Sequence, residues 1–304
     1  MNPPLPTPCV SVVVATFRRD QPLVDTVRDL LAQGYPALEV LVVDQAPNHQ
    51  PAVAAQLSAW AAAGQIRYLL SDPPNLPRAR NRGWRAATGE IVIFVDDDVR
   101  IPDPHYVASM VAAFLAHPEV GAVAGRILEP SRPPEVVRHR VGDLGWSGAR
   151  RPGFGSPVSG PAYSLRGCNM AFRRSVLEAV GGFDEGYQRS AFREDADIAI
   201  RVQAAGFGLW FSAEAWLYHL SASTGGTRSS EIDVDNDVVA NDLRFAVLRL
   251  SWPQRGCWIL RLYLSRVVKA GVLRGRLWAR HRAFFAAWWG LRPRGPRDRA
   301  GGRT

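Results

Sequence analysis

Gly89-Glu90-Ile91-Val92-Ile93-Phe94-Val95-Asp96-Asp97-Asp98 is the stretch on which the fold turns. An uninterrupted apolar run, Ile91–Val95, passes directly into three acids. A short run rich in β-branched residues and preceded by Gly fits a strand buried on both faces. Three consecutive carboxylates at a strand end repel one another. A divalent cation would relieve that repulsion, because hard cations favour carboxylate oxygen. A solvated acidic turn is the plainer alternative.

Working outward, the same kind of run recurs. Val10–Ala15 precedes Thr16-Phe17-Arg18-Arg19, and Val40–Val43 ends in Asp44. Ile66–Leu70 is a further strand candidate. Between the runs lie helical patterns: Pro22–Gln33, with Leu23, Val27, Leu30 and Leu31 on one face and Gly34 as the stop; the Ala-rich Pro51–Ala63; and Arg78–Ala87. Strands alternating with helices over about a hundred residues predict βαβ units and a mostly parallel α/β sheet flanked by helices. Pro104–His117 and Glu194–Ala205 read as helices, Val120–Arg126 as a strand, and Arg173–Val180 as a short helix closed by Gly181-Gly182. Leu209–Phe211 and Ala215–Tyr218 read as two strands, the second ending at His219, and Glu129–Pro161 as long loops with room for short strands.

Charge divides the chain. The 304 residues carry a net charge of +9, which invites a nucleic-acid partner. Residues 243–304 hold 15 basic groups against Asp298 alone, a net of +14, so residues 1–242 are at −5. A uniformly cationic DNA-coating domain is thereby excluded, and no nucleic-acid partner is expected. Cys9, Cys168 and Cys257 are too widely spaced for a disulfide framework or a structural zinc site, which points to a reducing cytoplasm. Met1–Pro8 lacks the basic and apolar regions of a signal peptide.

In an open parallel sheet, ligands bind beyond the carboxyl ends of the strands, where Thr16, Asp44 and Asp96–Asp98 fall. No Gly-x-Gly-x-x-Gly follows the first strand and no phosphate-binding Gly-x-x-x-x-Gly-Lys-Ser/Thr occurs, so the dinucleotide and P-loop classes lose their fingerprints. Asp195 opens a predicted helix. It is there either as a dipole partner or as a general base. His219 follows an apolar run, and a lone His there is more often structural than a ligand.

Together these residues resemble a family 2 glycosyltransferase of the GT-A fold, non-processive and of bacterial type. The resemblance runs through Ser11–Phe17, Val42-Val43-Asp44, Asn75 with Ala79-Arg80-Asn81, Gly89–Asp98, Gly167–Arg174, Gly181–Glu185 and Glu194–Asp197. It implies a metal-dependent, inverting transfer of a sugar from a nucleotide diphosphate sugar donor to a hydroxyl of a glycan or lipid-linked acceptor, in envelope or polysaccharide biosynthesis. It implies Thr16, Asp44, Arg80, Asp96 and Asp97 as donor-binding residues. Asp98 would hold Mg²⁺ or Mn²⁺, with Asp96 and His219 as further ligands. Asp195 would be the catalytic base, with Glu194 orienting the acceptor. Gln45 stands where the family has a second Asp, and the Gln-x-x-Arg-Trp of processive synthases is missing, Gln203 being followed by Ala204-Ala205-Gly206. Two other classes compete. A nucleotidyltransferase would want a Gly-rich basic loop after the first strand, which Ala15–Arg19 is not. A non-catalytic RNA- or membrane-binding protein would not need Asp98 and Asp195.

The expected organisation is a glycosyltransferase domain over 1–237, with a donor half at about 9–126 and an acceptor half at about 160–220. A helical appendage at 238–291 and a disordered basic tail at 292–304 follow. Val238–Leu250, Cys257–Leu273 and Leu277–Leu291 interleave aromatic residues with Arg. Their charges argue against a transmembrane helix and suit an anionic membrane surface. The expected location is cytoplasmic, peripheral on the inner face of a bacterial plasma membrane.

Overall fold

The computed structural model describes residues 7–130, 141–146, 150–151, 153–222, 225–226, 231–273, 275 and 277–291. The chain divides into two compact units, one running to Arg228 apart from residues 146–148, the other starting at Ser229.

The first unit is built on β1 (Val10–Thr16), α1 (Gln21–Leu31), β2 (Leu38–Asp44), α2 (Pro51–Ala62), β3 (Arg67–Leu70), α3 (Leu76–Ala86) and β4 (Ile91–Asp96). These are followed by β5 (Val99–Arg100), α4 (Tyr106–Ala116), β6 (Val120–Leu128), β7 (Asp143–Leu144), β8 (Arg150–Arg151), β9 (Gly160–Pro161), β10 (Asn169–Arg173), α5 (Arg174–Val180), α6 (Glu194–Ala204) and β11 (Gly208–His219). The main sheet has the order β3-β2-β1-β4-β10-β6-β11-β5, with β9 beside β11. β1, β2, β3 and β4 are mutually parallel, as are β6 and β11.

The mostly parallel α/β sheet expected from the βαβ pattern is present, with one addition in its centre. β10 runs antiparallel between β4 and β6. β11 is a single strand where two are predicted, and its register on β6 jumps between Ser212 and Trp216. That irregularity coincides with Ser212–Glu214, the interruption that separates the two apolar segments. β7 and β8 form a separate two-stranded sheet within the segment read as loops and short strands, of which residues 131–140, 147–149 and 152 lie outside the described residues.

Every residue of β1 is buried, as are Ile91–Val95 of β4. Leu23, Val24, Val27 and Leu30 of α1 join them in one core. Each such aliphatic side chain contributes about 1.5–3 kcal/mol when withdrawn from water. Gly83 lets α3 lie against β1, since a Cβ there would overlap Val13 and press on Val43. The register pairs Thr16 with Asp44 and Ala15 with Asp96, which places the ends of β1, β2 and β4 side by side.

The second unit holds α7 (Glu231–Arg249), α8 (Trp252–Leu262), a π-helical turn (Tyr263–Lys269), α9 (Ala270–Leu273) and α10 (Leu277–Gly290). Pro253 sits in the first turn of α8, where its missing N–H costs nothing. Val239, Leu243, Leu262, Val267 and Phe284 form a small core. No helix among the described residues is long and apolar enough to cross a membrane. The segment 292–304, expected to be a disordered tail, lies outside the described residues.

Candidate active site

The carboxyl ends of β1, β2 and β4 bring together most of the residues singled out by sequence, but in distinct roles. Asp44 is fully buried, and all its hydrogen bonds are internal. Its Oδ1 accepts from the Ala46 N–H at 2.8 Å, and its Oδ2 accepts from the Tyr68 hydroxyl and from His49 Nε2, the latter at 2.7 Å. His49 Nδ1 lies 2.9 Å from Asp20 Oδ1. Carboxylate oxygens flank both nitrogens of a buried ring, an arrangement in which the imidazolium form makes both hydrogen bonds. Burial disfavours that charge, but the hydrogen bonds and charges of Asp20 and Asp44 outweigh it and raise the His49 pKa. Gln45, in the place of the usual second acid, ties neighbouring elements together. Its side chain donates to Thr16 O at 3.1 Å and accepts from Asn75 N–H, at the N-cap of α3, at 2.8 Å.

The Thr16 hydroxyl donates to Asp97 Oδ2 at 2.7 Å. Burial pushes the Asp97 carboxyl up to about 7, against the Arg19 charge and the Thr16 hydrogen bond. Asp98 is also buried, yet its partners prevail. Arg19 Nη1 donates to Asp98 Oδ2 at 2.7 Å and Ala222 N–H at 2.8 Å. His219 Nε2 is 3.6 Å from Asp98 Oδ1. Burial alone would raise the Asp98 pKa, but His219, Arg19 and Ala222 hold it down at about 2. The His219 pKa is raised by Asp98 and Asp96 despite burial. Asp96 keeps the most open carboxylate of the three, with 32% of its side chain exposed.

Arg80 stands apart from Asp44. Its side chain is 2% exposed and bridges three partners. It donates to Glu194, to Asp96 at 3.1 Å and to the Gly167 carbonyl at 2.9 Å. Glu194 is buried on this guanidinium, and its Oε2 has no hydrogen-bond partner. Burial pushes its carboxyl up to about 7, against the Arg80 charge. Arg80 and Glu194 therefore tie α6 to the end of β4. A Cβ at Gly167 would stand 2.8 Å from Arg80 Nη2 and 3.0 Å from Glu194 Oε1 and so would crowd this buried pair.

Asp195, in the first turn of α6, is half-buried and accepts from the Gly167 N–H at 3.2 Å. The same glycine thus touches Asp195 through its N–H and Arg80 through its carbonyl. The loop before α6 holds Arg189, Ala191 and Arg193 at positive φ, and Arg18 and Ser221 adopt it beside the acid cluster. Backbone strain in non-glycine residues concentrates where surroundings enforce a functional geometry.

Three groups that sequence reading passes over belong to the site: Arg19 on Asp97 and Asp98, His49 on Asp44, and Cys168. One ligand atom each of Asp96, Cys168 and His219 lies within 4.8 Å of the others. With Asp98 Oδ1 also near His219, this donor set fits a divalent cation, which Asp96 and His219 would hold. Asp98 would stand beside it, already charged and oriented by Arg19.

The sequence profile of glycosyl transferase family 2 matches residues 11–181, and the chain belongs to that family. It is 31% identical over 241 residues to the O-antigen biosynthesis protein RfbC of Myxococcus xanthus, covering 75% of this chain and 18% of that protein. It is 26% identical over 202 residues to the glucosyl-dolichyl phosphate glucuronosyltransferase of Haloferax volcanii, covering 64% of this chain and 63% of that one. The chain thus spans less than two thirds of the length of either relative. Its fold is that of GT-A glycosyltransferases. It superposes on the mannosyltransferase PcManGT of Pyrobaculum calidifontis, solved with GDP-Man and Mn²⁺, with a TM-score of 0.58 and 22% identity over 95% of this chain and 77% of that one. For S. aureus TarS with UDP-GlcNAc the TM-score is 0.65 at 17% identity, over 92% of this chain and 79% of that one.

Proposed function

We propose that the chain transfers a sugar from a nucleotide diphosphate sugar to a hydroxyl of a glycan or lipid-linked acceptor, with inversion, in the synthesis of a cell-envelope polysaccharide. The observation that supports this best is the pairing of Asp195 with the Asp96 cluster through Gly167 and Arg80. It sets a half-exposed carboxylate at a helix N-terminus beside a group of potential metal ligands.

In this reading Asp195 takes the proton from the acceptor hydroxyl as its oxygen attacks the anomeric carbon. The Gly167 N–H and the Ala196 N–H, at 2.7 Å from Asp195 Oδ1, aim the carboxylate. Arg80 and Glu194, buried against each other, position α6 and through it Asp195. Asp96 and His219, with Asp98 beside them, would hold Mg²⁺ or Mn²⁺, which would supply Lewis-acid stabilisation for the diphosphate leaving group. Asp44, held by His49 and Tyr68, and Thr16, held by Asp97, shape the floor of the nucleoside pocket. The donor half is residues 9–126 and the acceptor half 160–220.

The helical unit is assigned to the membrane surface, on the cytoplasmic face. Trp252, Trp278 and Trp289 are 83%, 76% and 67% exposed. Aromatic side chains of this kind seat at headgroup level, and Arg adds attraction to anionic lipid.

Thermal unfolding with UDP, GDP, dTDP and CDP, each with and without Mn²⁺, tests the donor reading. Metal-dependent stabilisation by one diphosphate is expected and identifies the base. Stabilisation by none of them would contradict it.

A further inference from the structure

Cys168 is the group at this centre that the proposed mechanism leaves unused. It lies immediately before β10, whose first residue, Asn169, is fixed from three sides. Asn169 Nδ2 donates to Arg126 O at 2.9 Å and to Ala215 O at 3.1 Å, and its Oδ1 accepts from Tyr106 at 2.8 Å. The backbone that presents the thiol is therefore rigid. Cys168 is buried, whereas Asp96 and His219 are each partly exposed. His219 Nε2 lies 3.9 Å from Asp96 Oδ2, and the three ligand atoms are all within 4.8 Å. Ligands around a four-coordinate ion with metal–ligand bonds of about 2.0–2.3 Å stand roughly 3.5 Å apart. Side-chain rotations that move each atom by under about 1 Å complete that arrangement. Cys9 and Cys257 belong to no such group among the described residues.

A thiol changes what such a centre selects. Carboxylate and water ligands suit Mg²⁺ and Mn²⁺, whereas thiolate favours softer ions, and imidazole accepts both. We propose that Cys168 is a direct ligand of the metal at this centre, so that the site is a mixed oxygen, nitrogen and sulfur site that prefers Zn²⁺ and Co²⁺ over Mg²⁺. On binding, the S–H bond breaks, its proton passes to solvent, and the sulfur electron pair forms the bond to the ion. No electron is transferred. The inference rests on the reading that Asp96 and His219 hold the donor-site metal.

Titration of the full chain with Co²⁺ alone tests it, because a thiolate–Co²⁺ bond gives a charge-transfer absorption in the near ultraviolet and carboxylate or imidazole ligands do not. The wild-type chain is expected to show this band, and Zn²⁺ to abolish it by displacement. Cys168→Ser and Cys168→Ala are expected to lose the band, with the preference for Zn²⁺ over Mg²⁺ falling by more than the roughly 10–100-fold that outer-shell changes cost. A Cys9→Ser/Cys257→Ser variant is expected to keep the band. Circular dichroism establishes that each variant is folded. Absence of the band in wild type, whether Co²⁺ binds or not, overturns the proposal, as does a band that survives in both Cys168 variants. Mn²⁺-dependent binding of nucleoside diphosphate to Cys168→Ala reports separately on the donor site. If it persists while the band is absent from wild type, only the sulfur ligand fails. If wild type shows no Mn²⁺-dependent binding either, the underlying reading fails with it.

Discussion

Replacing Arg80 by Met removes one charge from the interior and leaves two carboxylates facing the gap. Arg80 is 2% exposed and donates to Glu194, Asp96 and the Gly167 carbonyl. Asp96 is open to water and can resolvate. Glu194 cannot, because it is buried and its Oε2 has no other partner. Breaking a buried pair by removing one member costs about 3–5 kcal/mol. Glu194 can limit the loss by taking up a proton, since burial already pushes its carboxyl up to about 7 beside Arg80. The expected loss for Arg80→Met at pH 7 is therefore at the lower end, about 3 kcal/mol. Its pH dependence has a definite sign. A carboxyl whose folded pKa is raised favours the folded state fully below its unfolded value near 4.3, and that contribution is lost as pH rises through the folded value. Without Arg80 the folded value climbs further, so the gap between variant and wild type widens from pH 7 to pH 9. Arg80→Met/Glu194→Gln removes the stranded charge and is expected to be more stable than Arg80→Met alone. Urea unfolding of the variants at pH 6, 7, 8 and 9 measures all of this. If Arg80→Met stays within about 1 kcal/mol of wild type, the range of an exposed ion pair, the reasoning about this buried group is refuted.

Other perturbations have equally specific outcomes. His49 is raised by Asp20 and Asp44, so its contribution to stability is fully present below about pH 6.5 and is lost as pH rises through its folded value; His49→Gln should flatten that part of the stability–pH curve, and an unchanged curve would count against the imidazolium. Asp98→Ala removes the carboxylate that orients Arg19 and faces His219; calorimetry should show Mn²⁺-dependent nucleotide affinity falling, and affinity indifferent to the ion in wild type would contradict the role. Gly167→Ala forces a Cβ to 2.8 Å from Arg80 and should cost about 1–3 kcal/mol by thermal unfolding. Exchanging Trp252, Trp278 and Trp289 together for Ser should weaken flotation of the full chain with anionic vesicles, and equal flotation would argue that these rings do not meet lipid.

How much was legible in the sequence follows from how local each signal is. β1, β2 and β4 are continuous buried runs, and their terminal Thr16, Asp44 and Asp96 fell where a parallel sheet puts its ligand side. β10 escaped because Asn169–Arg173 has polar residues at both ends and only three apolar residues between, too short a pattern to separate from a loop. β11 read as two strands because the irregularity around Ser212–Ala215 breaks the alternation. The site was legible as a set of residue types but not as a set of pairings. Arg80 and Glu194, Asp44 and His49, and Asp96 and Cys168 meet only through the fold, and no spacing announces that Arg80 reaches Asp96 at the end of β4. The +14 charge segment was plain from counting. Its packing was not: Arg280 turns inward and donates to the Arg266 carbonyl at 3.0 Å.

The central claim is that Asp195 is the base acting on the acceptor hydroxyl. Asp195→Asn keeps the size of the side chain and removes its basicity. With the donor identified by the nucleotide screen, sugar transfer by this variant should fall by about 10²–10⁴-fold, while its affinity for the corresponding nucleoside diphosphate with Mn²⁺ stays at the wild-type value. Transfer at the wild-type rate would contradict the account.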